Sequence, residues 1–75
     1  MDTVNTNNSS VIKNISYTAI VGEVKYVNVT FRSGSVYQYV VPRKRAFHNF
    51  VNAESIGKYF NSTFKTKYGP GVQVL

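Results

Sequence analysis

From Val11 to Val41 the chain alternates apolar with polar side chains, and after Pro42 its apolar positions respace to threes and fours. Ile15, Tyr17 and Ala19 alternate with Asn14, Ser16 and Thr18, the period-2 signature of a strand with one buried face. Ile20-Val21-Gly22-Glu23 predicts a connection in which Gly22 is free to take a positive φ. Val27, Val29 and Phe31 then alternate with Tyr26, Asn28, Thr30 and Arg32, and Ser33-Gly34-Ser35 reads as a hairpin turn. A third strand runs from Val36 to Val41. Pro42 ends it and suits the first turn of a helix, where a missing N–H costs nothing. Ala46, Phe47, Phe50 and Val51 follow at helical spacing.

Ser55 is placed to cap a second helix that carries Ile56, Tyr59, Phe60, Thr63 and Phe64 on one stripe. Lys65 and Lys67 fall in its last turn, where cations complement the helix dipole. Gly69-Pro70-Gly71 stops it, and Val72-Gln73-Val74-Leu75 forms a short final strand or a packed tail. The predicted fold class is α+β in the order β-β-β-α-α: a small antiparallel three-stranded sheet followed by two helices packed on one face. Residues 1–10 have little to bury and predict a flexible N-terminal arm. Residues 11–75 predict a single domain.

The hairpin register decides what its tyrosines do. With a loop of Ser33-Gly34, Phe31 faces Val36 and Val29 faces Gln38. Tyr26, Arg32, Tyr37 and Tyr39 then share a face on which bases could stack. With a loop of Ser33-Gly34-Ser35, Phe31 faces Tyr37, Val29 faces Tyr39 and Val27 faces Val41. Tyr26, Asn28, Thr30, Arg32, Val36, Gln38 and Val40 then point outward. A one-residue slip turns whole rows of side chains over, so hydrophobic matching selects the register. Pairing large apolar residues with one another favours the three-residue loop and places Tyr37 and Tyr39 in the core.

Composition narrows the function. Nine Lys/Arg against three Asp/Glu give a formal charge of +6 on 75 residues, a balance that favours phosphate-bearing or otherwise acidic partners. With no cysteine, stability must come from packing, aided by self-association if the chain is a homo-oligomer. The same absence fits a reducing, cytoplasmic setting. No stretch is apolar enough to span a membrane, and polar Met1 to Ser10 lacks the apolar region of a secretory leader. The N-x-S/T triplets that begin at Asn8, Asn14, Asn28 and Asn61 are therefore read as products of an Asn-rich chain.

Arg43-Lys44-Arg45 sits in the predicted first helical turn. Cations there oppose the dipole by about 0.3–1 kcal/mol each. A local rule broken three times in succession points to an anion site, formed with the backbone N–H groups of the helix start. Lys58 and Lys65 lie seven apart on the second helix and extend that surface. Tyr26, Arg32 and Asn61 are secondary surface candidates.

No enzyme is indicated. His48 is the sole histidine, and Asp2, Glu23 and Glu54 are dispersed. No group of side chains is set for a metal, a cofactor or acid/base catalysis.

Several stretches resemble the KTSC domain, a short family named after the C-terminus of some lysyl-tRNA synthetases. They are Ser9 with Ile12, Ile15 and Tyr17; Val29-Thr30-Phe31 running into Gly34; Tyr37-Gln38-Tyr39; Val41-Pro42; and Ala53-Glu54-Ser55-Ile56-Gly57-Lys58-Tyr59-Phe60-Asn61, closing at Lys65 and Tyr68. The resemblance implies a compact α+β unit, fused to synthetases or free-standing in bacteria and phages, with RNA binding suggested by the association with synthetases. Arg43-Lys44-Arg45 departs from the family, which more often carries few charges after the Val-Pro.

The expected function is a non-catalytic module for an anionic partner, RNA or DNA, held through its phosphates by Arg43, Lys44, Arg45, Lys58 and Lys65. Such a module belongs in the bacterial cytoplasm, or in the host's if phage-encoded. The alternative is an interaction protein that docks on an acidic protein surface or sequesters a phosphorylated nucleotide.

Overall fold

The computed structural model describes residues 2–6, 9–20 and 24–75. The expected connection at Val21-Gly22-Glu23 and the triplet at Asn8 fall on residues outside the described ones. The described residues form a five-stranded antiparallel meander in the order β1-β2-β3-β4-β5. Its strands are β1 (Asp2–Asn5), β2 (Ile12–Ile20), β3 (Val24–Phe31), β4 (Val36–Val41) and β5 (Val72–Gln73). Helix α1 (Lys44–Val51) follows β4. A second helical run then passes without a break from α2 (Ile56–Tyr59) through a π-helical stretch (Phe60–Phe64) into α3 (Lys65–Tyr68).

The α+β architecture is as expected, but the sheet has two more strands than the three predicted. β5 is the short final strand. β1 comes from the segment expected to be an arm, and it pairs with β2 from Asp2↔Tyr17 to Asn5↔Asn14. Side chains latch this segment down. The Thr6 hydroxyl donates to the Ile12 carbonyl, while the Ser9 hydroxyl accepts from the Ile12 amide at 2.9 Å. Arg32 donates to the Ser9 carbonyl at 2.9 Å and to the Thr6 carbonyl at 2.8 Å.

The hairpin keeps the expected faces but not the expected register. Val29 pairs with Tyr37 and Val27 with Tyr39, two residues from the predicted match, so parity and hence facing survive. The loop is Arg32-Ser33-Gly34, closed by Phe31 N–H to Ser35 O at 2.9 Å and Gly34 N–H to Phe31 O at 3.0 Å. Gly34 has φ +101°. A three-residue loop ends on a left-handed residue, which puts the glycine last in the loop instead of in its middle.

A bulge between Ile12 and Asn14 lets Ile12 and Ile15 both face the helices although they are an odd number of residues apart. Ile12, Ile15, Val27 and Val29 are buried and meet Phe47, Phe50, Phe60 and Phe64 from the helices. Phe50 and Phe64 are wholly buried, with ring centroids 4.5 Å apart. Tyr39 closes on Phe64 edge-on at 5.1 Å.

Helix α1 starts at Lys44, not at Pro42. Arg43 is its extended N-cap, with no side-chain cap and no acidic residue in the first turn. Ser55 holds the N-cap position of α2 as expected but makes no capping bond. In the second run Ile56, Phe60 and Phe64 are buried, with Tyr68 partly so, and Thr63 lies outside the stripe. The π-helical turns hold more residues than α-helical ones, so side chains four apart stay nearly aligned. Phe60 and Phe64 are accordingly stacked at 6.2 Å and 26°.

Candidate functional site

The first turn of α1 divides the basic triplet. Lys44 crosses the face of Tyr17, its Nζ 5.4 Å from the ring centroid, and reaches the Asp2 carboxylate at 2.7 Å. Asp2 is the cross-strand partner of Tyr17, so the pairing of β1 is what supplies the anion. The Lys44 ammonium beside Asp2 holds its carboxyl below the ordinary aspartate value, and Asp2 in turn raises Lys44. The contact clamps the edge strand to α1.

Arg43 and Arg45 turn the other way. With Pro42, Ala46 and Asn49 they line a cleft of about 350 Å³ whose far wall is Lys67 and Tyr68 from α3. Two arginines and a lysine are among its lining residues, and no carboxylate is. Lys67 belongs with them although its position in a last helical turn assigned it only to the dipole. Its two-residue offset from Lys65 sends the two side chains to different sides of the helix, which was the available signal.

The other candidates are dispersed. Lys58 borders a separate depression with Glu54, Ser55, Tyr59 and Ser62, and there the Ser62 hydroxyl donates to the Lys58 carbonyl at 2.7 Å. Tyr26 lies on the outer face of the sheet, opposite Thr18 and Val40, away from the helices. Arg32 donates to the Thr6 and Ser9 carbonyls and works in the fold. Lys65 and Asn61 open onto a further cleft of about 460 Å³, walled by Phe31, Tyr37, Tyr39 and Phe60 and rimmed by Ser33 and Ser35.

His48 is exposed beside the Phe47 ring. Among the described residues no group of three or more His, Cys, Asp or Glu could hold a metal ion. No helix there is long and apolar enough to cross a membrane.

A family model for the KTSC domain matches residues 8–68. The chain belongs to the KTSC domain family. No curated protein matches it in sequence. Several of the residues that carry the KTSC likeness have structural work in this fold. Ser9 holds the amides of Val11 and Ile12, and a Cβ on Gly57 would lie 3.7 Å from the Ser9 hydroxyl. Others of them, Phe31, Tyr37, Phe60 and Asn61, surround the aromatic cleft.

Proposed function

We propose that this KTSC domain is a non-catalytic module that binds RNA or DNA through backbone phosphates at the cleft between the start of α1 and α3. The observation that carries the reading is the convergence of Arg43, Arg45 and Lys67 from two separate elements on one cleft lined by no carboxylate. Cations gathered without a neutralising partner repel one another, and phosphate relieves that repulsion while releasing counterions from the nucleic acid. Two planar guanidinium groups also suit bidentate contacts to phosphate oxygens.

Lys44 is left out of the set because Asp2 occupies it. Lys58 and Lys65 border other depressions and are not part of this cleft. Contacts of this kind fix position and carry no sequence information.

The test is fluorescence anisotropy with labelled single-stranded RNA and DNA, comparing wild type, a triple variant (Arg43→Ala, Arg45→Ala, Lys67→Ala) and a Lys44→Ala control. Three lost phosphate contacts flatten the log K against log salt slope by about 2, at about 0.7 per contact on a single strand. At about 0.1 M salt this corresponds to roughly a 100-fold loss of affinity. Lys44→Ala is expected to change neither measure. A triple variant with the wild-type affinity and slope overturns the proposal.

A further inference from the structure

The aromatic cleft has the wrong chemistry for a phosphate site alone. Phe31 meets Tyr37 edge-on at 5.7 Å and 87°, and meets Phe60 at 5.5 Å and 69°. These steeply set rings form a corner in which Phe31 and Tyr37 stay partly uncovered. The Tyr37 hydroxyl donates to Gln73 Oε1 at 3.3 Å, which ties its ring to β5.

Around the corner stand the hydroxyls of Ser33 and Ser35, the exposed amide of Asn61 and the ammonium of Lys65. Lys65 Nζ lies 5.7 Å from the Phe60 ring centroid, held at the mouth with no carboxylate lining the cleft. Asn61 and Phe60 begin the π-helical stretch, a widening of the helix that recurs at binding sites.

We propose that this cleft takes one nucleobase against Phe31, Tyr37 and Phe60, with the attached phosphate on Lys65. The assignment rests on the phosphate-binding reading above for its class of ligand. It deepens that reading by giving the bases a place of their own. A purely apolar ligand would leave Lys65 and Asn61 without partners, and a bare phosphate would leave the rings unused. A nucleotide uses both. Its π-face stacks on an aromatic side chain, its edge meets hydroxyl and amide groups, and its phosphate meets the cation. The volume of about 460 Å³ lies in the range of small-molecule sites.

Helix α3 is a wall common to both clefts, through Lys65 on one side and Lys67 on the other. A strand with its phosphates in the basic cleft therefore has a base acceptor beside it.

The experiment titrates the isotope-labelled full chain with adenosine and uridine 5′-monophosphates and with ribose 5-phosphate, following amide shifts by NMR. The nucleotides are expected to shift Phe31, Tyr37, Asn61 and Lys65, and ribose 5-phosphate to bind at least 10-fold more weakly. Asn61→Ala with Lys65→Ala, both at exposed positions, is expected to weaken the nucleotides at least 10-fold while the spectrum stays folded. Equal binding of ribose 5-phosphate, shifts confined to Arg45 and Lys67, or unchanged nucleotide affinity in the double variant each overturn the inference.

A single-stranded heptanucleotide, titrated in parallel, identifies the source of the base. Binding at least 10-fold tighter than the mononucleotide assigns a base within a strand, and equal binding assigns free nucleotide. Strand binding that the basic-cleft triple variant abolishes and the Asn61/Lys65 variant leaves intact overturns the base site alone. The reverse pattern overturns the phosphate reading alone.

Discussion

Gly71→Ala is the single-methyl change with the largest expected effect on the turn that carries Pro70 to the rim of the aromatic cleft. Gly71 has φ +74°, and a Cβ there would sit 2.7 Å from both Cε2 and Cζ of Tyr39. Three terms set the magnitude. The left-handed backbone costs a non-glycine residue about 1–2 kcal/mol. Forcing a methyl onto a buried ring costs about 1–3 kcal/mol, and Tyr39, 2% exposed, has little room to retreat. Stiffening the unfolded chain offsets about 0.4–1 kcal/mol.

The net is a destabilisation of about 1–5 kcal/mol, or a fall in Tm of order 5–35 °C for a domain of this size. Gly34→Ala supplies the control. Gly34 has φ +101° with nothing within 4 Å of its added Cβ, so the steric term drops out and the backbone term less the same offset leaves about 0–1.6 kcal/mol. Urea unfolding followed by circular dichroism measures both variants. The Gly71 variant is expected to lose clearly more, and Tyr39→Leu in the same chain to recover part of the excess, so that the double variant loses less than the sum of the two single ones. If Gly71→Ala costs no more than Gly34→Ala, the close packing of the turn on Tyr39 is refuted.

Two further outcomes probe the N-terminal segment. Ser9→Ala leaves the Ile12 amide, bonded to the Ser9 hydroxyl at 2.9 Å, without its partner, and is expected to cost about 1–3 kcal/mol in denaturant unfolding; a change too small to measure would show that this bond does not hold the segment. Asp2 is expected to titrate by NMR below the ordinary aspartate value because Lys44 sits beside it. A lowered folded pKa makes its contribution fully present above the ordinary value and lost as pH falls through the lowered one. Signals of Thr3 to Asn5 should therefore broaden or shift at that acid limb, and Lys44→Ala should raise the titration toward the ordinary value. An unchanged Asp2 titration in that variant contradicts the clamp.

Local pattern carried the parts of the fold that depend on local pattern. Alternation placed β2, β3 and β4 and the facing of their side chains, and three-and-four spacing placed both helical runs. β1 was illegible because Asp2-Thr3-Val4-Asn5 offers only Val4 as an apolar side chain. What orders it is long-range: Arg32 bonding back to Thr6 and Ser9, and Lys44 reaching Asp2. The hairpin register slipped because matching large with large left out the backbone demand of the loop, where the glycine must come last. The π-helical stretch could be read only as a stripe at fours, Ile56-Phe60-Phe64-Tyr68, and counting Thr63 into that stripe hid it. In the candidate site, the triplet was visible but its division was not. Which way Lys44 points is decided by an aspartate on a strand the pattern did not show.

The two clefts also differ in their chemistry. Arg43 and Arg45, which follow Val41-Pro42, bring charge to the basic cleft. Phe31, Tyr37, Phe60 and Asn61, which surround the aromatic cleft, lie within stretches that carry the likeness. On the two proposals together, the basic cleft supplies electrostatic affinity, steeply dependent on salt. The aromatic cleft supplies stacking, which depends little on salt. Raising the salt concentration then separates the two within one molecule: strand affinity falls toward a residual set by Phe31, Tyr37 and Phe60, and the base rather than the phosphate comes to dominate what stays bound.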